Sequence, residues 1–325
     1  MDERARQREA WLASVLGDNA IAPLAGDASF RRYFRVNCKG IDYVLMDAPP
    51  QHEDVKPFLA VLAWFNATGI RVSRLFAESV TQGFLLLEDF GDETWASYRA
   101  SGNDLNALFE DALYQLHLLQ GSDPGMVLPR FDMARMRREC DLYLDWYLPK
   151  VAGVEPTAAE REQFHASLAA TLETLTEIPV VPVHLDYHSR NLMLPEGKLP
   201  LGMIDYQDAV MGPVTYDLAS LLYDCYQDYP EQERLLWSEK FFGNLPPHLA
   251  AAFGGFDDWH HKLRLTALQR HIKAIGIFGR LAYRDGKLQF LDEIPLTRKH
   301  LQDEMAALGM ARERFPLLYI APSNH

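Results

Sequence analysis

The sequence predicts an α+β chain of two lobes, a small strand-rich one followed by a larger, mainly helical one. Three observations carry this expectation. The first ninety residues hold short aromatic and β-branched runs around a single helical stretch. Later, apolar residues recur at helical spacing, and the one sharp change of pattern falls at Asp89-Phe90-Gly91-Asp92. At 325 residues the chain is long enough for two domains of roughly 150 residues each. The expected division is 1–88 for the first lobe, 89–92 for a hinge and 93–325 for the second lobe.

Residues 33–36 and 43–46 read as strands joined by Asn37-Cys38-Lys39-Gly40, which is good hairpin chemistry. A helix over about 54–67 puts Val55, Leu59, Leu62 and Phe65 on one side and stops at Gly69. Residues 72–79 and 84–88 give two more strands around Thr81-Gln82-Gly83. Beyond the hinge, Leu105, Leu108, Ala112, Leu116 and Leu119 keep helical spacing, as do Met136, Cys140, Tyr143 and Tyr147. Thr157 and Glu160 form a capping box ahead of Phe164, Leu168 and Leu172. Short strands at 180–184 and 201–204 bracket a polar loop, and from Pro213 onward the pattern is helical again. Within 265–283, Leu265, Leu268, Ile272 and Ile275 make an apolar stripe, with Gln269, Lys273 and Arg280 on an adjacent face. That polar face reads either as an acceptor-binding ridge or as a solvated helix side.

Composition narrows the function. With 48% hydrophobic and 24% charged residues, the chain is neither disordered nor fibrous. The longest stretches without a charge, 57–70 and 241–256, run 14 and 16 residues and contain proline or glycine, too short to span a bilayer. A formal charge of 32 − 45 = −13, with no basic patch, argues against nucleic acid as a partner. Cys38, Cys140 and Cys225 are scattered without metal-ligand spacing and read as reduced thiols. The charged start, with Arg4, Arg6 and Arg8 ahead of Trp11, has no apolar signal core, so the cytoplasm is the expected location.

The chemistry concentrates in His184-Leu185-Asp186-Tyr187-His188-Ser189-Arg190-Asn191 and in Asp205, which follows a short apolar strand. The spacing His-x-Asp-x-x-x-x-Asn with a strand-borne Asp downstream fits a phosphoryl-transfer loop. Asn191 and Asp205 offer the hard oxygen ligands that Mg²⁺ on a triphosphate needs, and Asp186 can orient an attacking hydroxyl and accept its proton. The competing reading makes Asp186 and Asn191 turn formers and Asp205 a strand cap. His184 reads as architectural and His188 as an incidental loop residue. Asp208 reads as a contact to substrate or a second ion, or as an exposed turn carboxylate. Asp217 reads as a brace of the loop or as a first-turn helix residue. Arg190 reaches phosphate or sugar, or braces Asp205. Tyr143, Trp146 and Tyr147 line an acceptor pocket or belong to the core. A metal-dependent hydrolase using His184, Asp186, His188 and Asp205 is a rival, although oxygen-only ligation fits the pattern better.

From about residue 24 to 287 the chain resembles the aminoglycoside phosphotransferase/choline kinase-like superfamily. Within it, the chain is most similar to the anomeric N-acetylmuramate/N-acetylglucosamine kinase family. The strings that carry the closer resemblance are Gly26-Asp27-Ala28-Ser29-Phe30-Arg31-Arg32-Tyr33, Met46-Asp47-Ala48-Pro49-Pro50, Leu86-Leu87-Glu88-Asp89-Phe90-Gly91, Ile204-Asp205-Tyr206-Gln207-Asp208 and Gln269-Arg270-His271-Ile272-Lys273. The resemblance implies a protein-kinase-like two-lobed fold. It also implies ATP and Mg²⁺ as cofactors, and phosphorylation of the anomeric hydroxyl of an amino sugar. The sugar 1-phosphate would pass to a nucleotidyltransferase in the recycling of peptidoglycan.

By the same resemblance Gly26, Ser29 and Phe30 belong to a phosphate loop, and Glu88 and Phe90 to a hinge that reads the adenine edge. Arg190, Asp208 and Lys273 join Asp186 at the acceptor. Met46 stands where a kinase-like third strand bears a phosphate-pairing lysine. Arg31, Arg32 and Lys56 are the cations expected to replace it. Two further readings keep the nucleotide but change the rest: another alcohol acceptor such as an aminoglycoside or choline, and a non-catalytic nucleotide-binding module.

Overall fold

A computed structural model describes residues 3–24 and 30–323. It opens with α1 (Glu3–Leu16), β1 (Ala20–Pro23), β2 (Arg32–Cys38), β3 (Ile41–Asp47) and α2 (Lys56–Thr68). Next come β4 (Leu75–Ser79), β5 (Phe84–Glu88), α3 (Trp95–Ala100), α4 (Asn106–Gln120) and α5 (Met133–Leu142). A π-helical stretch (Tyr143–Val151) leads to α6 (Ala158–Glu177), then β6 (Val180–Val183), β7 (Leu192–Met193), β8 (Gly202–Met203) and β9 (Val210–Pro213). The chain closes with α7 (Tyr216–Leu222), α8 (Glu231–Gly243), α9 (Pro247–Ala250), α10 (Phe256–Tyr283) and α11 (Ile294–Ala307). The fold class is α+β, as the sequence predicts.

Two compact units result: Met1–Asn103 with Asn191–Gln207, and Asp104–Arg190 with Asp208–His325. This differs from the expected division at 89–92, in which 93–325 forms one lobe. The cause is backbone pairing that sequence patterning does not register. Leu192 pairs with Met203 across β7 and β8, Met203 donates its N–H to the Arg71 carbonyl at 2.8 Å, and Leu194 donates to the Glu93 carbonyl at 2.8 Å. Residues 191–207 are thereby tied to the first unit.

In the first unit the strands form one antiparallel sheet in the order β1-β2-β3-β5-β4. The β2–β3 turn uses Lys39 and Gly40 at φ 54° and 82°, the left-handed pair of a tight hairpin. Side chains alternate between the faces with period two. On one face Val36, Leu45, Phe84 and Leu86 bury against Leu12 of α1, with the Trp11 and Phe84 rings 5.4 Å apart. Asp47 shares this face and is fully buried beneath Arg4 at 2.7 Å, Arg32 at 3.0 Å and Arg8 at 3.3 Å. The opposite face carries Tyr33, Arg35, Val44 and Leu87 toward a cavity. Helix α2 starts with Pro57 in its first turn and ends at Gly69, whose φ of 83° lets its N–H return to the carbonyls of Phe65 and Asn66.

In the second unit β6 pairs with β9, Val181 opposite Gly212. The helices pack around α10, where Gly276 sits so close to α5 that a Cβ there would lie 2.3 Å from the Leu142 carbonyl carbon. Tyr143 and Tyr147 are fully buried and donate their hydroxyls to the carbonyls of Leu317 and Ile320 at 2.9 and 2.8 Å. They are core residues. Among the described residues no helix is long and apolar enough to cross a membrane.

Candidate active site

The first unit holds a cavity of about 330 Å³. Leu24, Val44, Phe58 and Leu87 supply apolar walls, and the segment from Glu88 to Asp92 supplies main chain and carboxylates. Asn191 and Asp205 both line it. The pairing of β7 and β8 sets Asn191 opposite Ile204, one residue before Asp205, with the Ile204 N–H donating to the Asn191 carbonyl at 3.1 Å. Asp205 sits at φ 63°, a conformation a non-glycine residue adopts at a cost of about 1–3 kcal/mol and keeps only where its surroundings enforce it. One of its carboxylate oxygens accepts the Gln207 amide at 2.8 Å. The neighbouring Tyr206 ring is buried against Phe58 and Phe65, with centroids 5.0 and 5.4 Å away. A carboxamide oxygen and a carboxylate on one wall form a donor set that suits Mg²⁺.

Glu88 and Phe90, expected at the hinge, also line the cavity. The Glu88 carboxylate accepts a two-pronged contact from Arg71 at 2.6 and 2.8 Å, which holds its pKa below the usual carboxylate value. Arg71 also lies over the Phe90 ring, 4.6 Å from its centroid.

Among the described residues that line the cavity the cation is Arg35, which sequence reasoning missed. It donates to Asp89 and Asp92, with contacts of 3.2 Å to the first and 2.9 and 3.0 Å to the second. The two-residue alternation through Tyr33 and Arg35 was the signal available. The same alternation removes Arg32 from the cavity: with Phe34 and Val36 it faces α1, and its partner is Asp47. Arg31 has the parity of Tyr33 and Arg35, and its guanidinium pairs with Glu53 at 3.3 Å, outside the cavity lining. Met46 is fully buried at the lysine position, and Lys56 is exposed at the start of α2. Phe30 is exposed and stacks on His52 at 4.7 Å. Gly26 and Ser29 lie outside the described residues.

The second unit holds Asp186. Its loop is anchored by Asp217, fully buried, whose carboxylate accepts the N–H groups of His184 at 2.7 Å and Leu185 at 3.0 Å. Burial raises the Asp217 pKa against the pull of His184 and these donors. The expected bracing role of Asp217 is thus what the structure shows. His184 is architectural, as expected: buried, with Nδ1 accepting the Asp186 N–H at 3.2 Å. Asp224, which sequence reasoning missed, accepts the Ser189 N–H at 2.8 Å. Leu185, next to Asp186, has φ 84°.

Lys273 stands 4.0 Å from the Asp186 carboxylate, 3.8 Å from Glu139 and 3.4 Å from the Tyr216 hydroxyl. Its side chain is only 12% exposed, and Gln269 and Arg270 are buried as well, so this helix face is not solvated. Burial opposes ionisation of Asp186. Lys273, His188, Arg270 and His184 outweigh it and draw the pKa below its ordinary value. Arg190 is bound to Glu293 and stacks over Tyr226 at 3.7 Å, and Asp208 is exposed. Among the described residues no three His, Cys, Asp or Glu side chains gather as the cluster a metal hydrolase would need.

Comparison with known proteins follows the same lines. The model of a phosphotransferase enzyme family matches residues 20–260. An N-acetylmuramate/N-acetylglucosamine kinase of Pseudomonas aeruginosa is 37% identical over 99% of this chain and 98% of its own length. A protein of the same name from Pseudomonas putida is 32% identical over 95% of each chain. Among solved structures, a thermostable mutant of an aminoglycoside phosphotransferase in ternary complex with AMP-PNP and hygromycin B superimposes with a TM-score of 0.62. It is 12% identical, covering 93% of this chain and 99% of its own, a likeness of fold alone.

Proposed function

This chain belongs to the phosphotransferase enzyme family, and on that premise we propose that it transfers the γ-phosphoryl group of ATP to the anomeric hydroxyl of N-acetylmuramate or N-acetylglucosamine. The observation that carries the reading is the near full-length identity to two kinases named for those sugars. The geometry supports it. A cavity walled by strand residues and hinge main chain suits a nucleotide, and its far wall bears Asn191 and Asp205.

The roles follow from chemistry. Asn191 and Asp205 hold Mg²⁺ through oxygen. When bound, the ion supplies the positive charge that screens the phosphates. Leu24, Val44 and Leu87 exclude water around the base, and Glu88 to Phe90 present main-chain groups to its edge. Asp186 orients the sugar hydroxyl and takes its proton as the hydroxyl oxygen attacks phosphorus and the bond to the leaving ADP breaks. An anomeric hydroxyl is more acidic than other sugar hydroxyls and asks less of this base. The product, a sugar 1-phosphate, is the kind of substrate a nucleotidyltransferase consumes, and dependence on ATP fits an enzyme of the cytoplasm.

The test is an ADP-release assay over a panel of N-acetylmuramate, N-acetylglucosamine, aminoglycosides and choline. Turnover is expected with the amino sugars. Turnover confined to aminoglycosides or choline overturns the proposal.

A further inference from the structure

A polar face running along α10 meets α5 where the two helices come closest. Gln269, Lys273 and Gly276 recur at four- and three-residue steps, so they share one side of the helix. Gly276 packs onto the backbone of Leu142 and Tyr143, a contact no larger residue permits. One turn earlier on each helix, that contact sets Lys273 beside Glu139. Glu139 is itself fixed: Gln269 donates to it at 3.2 Å and Arg135 at 3.2 Å. The Lys273 ammonium is therefore held among Glu139, the Tyr216 hydroxyl and Asp186, and it approaches Asp186 no nearer than 4.0 Å. An unconstrained lysine beside a carboxylate closes to a hydrogen bond of about 2.8 Å.

We propose that Glu139 and Lys273 form a positioning pair for Asp186, in which Glu139 restrains Lys273 so that its charge sets the carboxylate without occupying the oxygen that takes the acceptor's proton. The inference rests on Asp186 being the base of the proposed reaction. At 4 Å, a unit charge in a partly buried site acts strongly on its neighbour, whereas a direct hydrogen bond to Oδ1 would compete with the acceptor hydroxyl for a carboxylate lone pair. The device matches the base to an acidic acceptor, a hemiacetal hydroxyl rather than an ordinary alcohol.

The charged and titratable groups facing Asp186 include Lys273 and Arg270 from α10, Tyr216 from α7, and His184 and His188 from its own loop. Those facing Lys273 include Glu139 from α5, Tyr216 from α7, Cys225 from the segment after α7, Asp186, and Arg270 from its own helix. Removing each member of the pair has an opposite signature. Lys273→Met lifts the acid limb of the kcat–pH profile by about one pH unit or more and lowers kcat by about 10- to 100-fold, with nucleotide affinity unchanged. Lys273→Arg recovers part of kcat. Glu139→Gln frees Lys273 to close on Asp186, so kcat falls while the acid limb moves down.

A second readout does not depend on turnover: the ¹³C-carboxyl titration of Asp186 in the nucleotide-free protein. The midpoint rises in Lys273→Met and falls in Glu139→Gln whichever acceptor the enzyme uses. Failure of the amino sugars to react thus leaves the pair testable. Midpoints and acid limbs unmoved in both variants, with folded protein verified by thermal melting, overturn it. Should Lys273→Met fail to fold, Glu139→Gln carries the test, and an unmoved midpoint in it overturns the pair.

Discussion

The two ends of the segment from His184 to Asn191 are held by different means. At the Asp186 end, in the second unit, buried side chains do the holding. Asp217 takes two backbone N–H groups, Asp224 takes a third, and Lys273 stands beside the carboxylate itself. At the Asn191 end, in the first unit, the backbone does it, through the pairing of β7 with β8 and the Ile204–Asn191 hydrogen bond. Each site also carries one residue in the left-handed region: Leu185 beside Asp186 at φ 84°, and Asp205, across from the Asn191 end, at φ 63°. A carboxylate whose loop is held by side chains, as the proposed base Asp186 is, is open to tuning by charge and to loss by single substitutions. Oxygens on residues placed by strand pairing depend less on any one neighbour, although Gln207 also holds the Asp205 carboxylate.

The sharpest way to break this comparison is to remove the proposed base. Asp186→Asn lowers kcat by about 10³-fold and leaves nucleotide affinity intact by calorimetry. Equal loss of affinity would mean that Asp186 is not confined to the acceptor side. Next in size is Asp217→Ala, which strands two buried N–H donors and costs at least about 2 kcal/mol of stability, read as a fall in melting temperature. A neutral result would show that the loop does not depend on its brace.

Arg35→Ala removes the cavity's cation and frees Asp89 and Asp92, and nucleotide Kd rises by about tenfold. Arg32→Ala, on the other face of the sheet, leaves Kd unchanged. It costs no more than about 1 kcal/mol, because Arg32 is partly exposed and Asp47 keeps Arg4 and Arg8. If Arg32 proves to be the one that weakens nucleotide binding, the face assignment of β2 is wrong.

A pH series sharpens the same contrast. A carboxyl whose folded pKa is depressed stays ionised above it and loses its charge only as pH falls through that lowered value. The kcat profile should then show no acid limb from Asp186 between about pH 5 and 7, the ordinary carboxylate value being near 4. A limb near pH 6 would mean that burial outweighs the surrounding cations.

The hairpin of β2 and β3, the helix α2 and the capping box at Thr157 were legible because their signals are local: turn residues, period, cap. The His-x-Asp-x-x-x-x-Asn spacing was visible for the same reason. What escaped reading depends on partners distant in sequence. Strand β6 pairs with β9 about thirty residues away, and residues 191–207 return to the first unit through backbone pairing and the packing of Tyr206 on Phe58 and Phe65. Helix α1 has a single buried residue, Leu12, and is pinned by arginines on Asp47 that no pattern links to it. Lys273 looked equally at home on a solvated face, because its burial is decided by Glu139 and Asp186 from other elements. Arg35 was within reach, since the period of β2 that buries Val36 also turns Arg35 to the cavity.

The most direct measurement is the site of the new phosphate, read by ³¹P NMR after incubation with ATP, Mg²⁺ and N-acetylmuramate or N-acetylglucosamine. A phosphorus resonance coupled to the sugar's H-1 is the result expected. Phosphate on any other carbon, or none transferred to either sugar, would contradict the account.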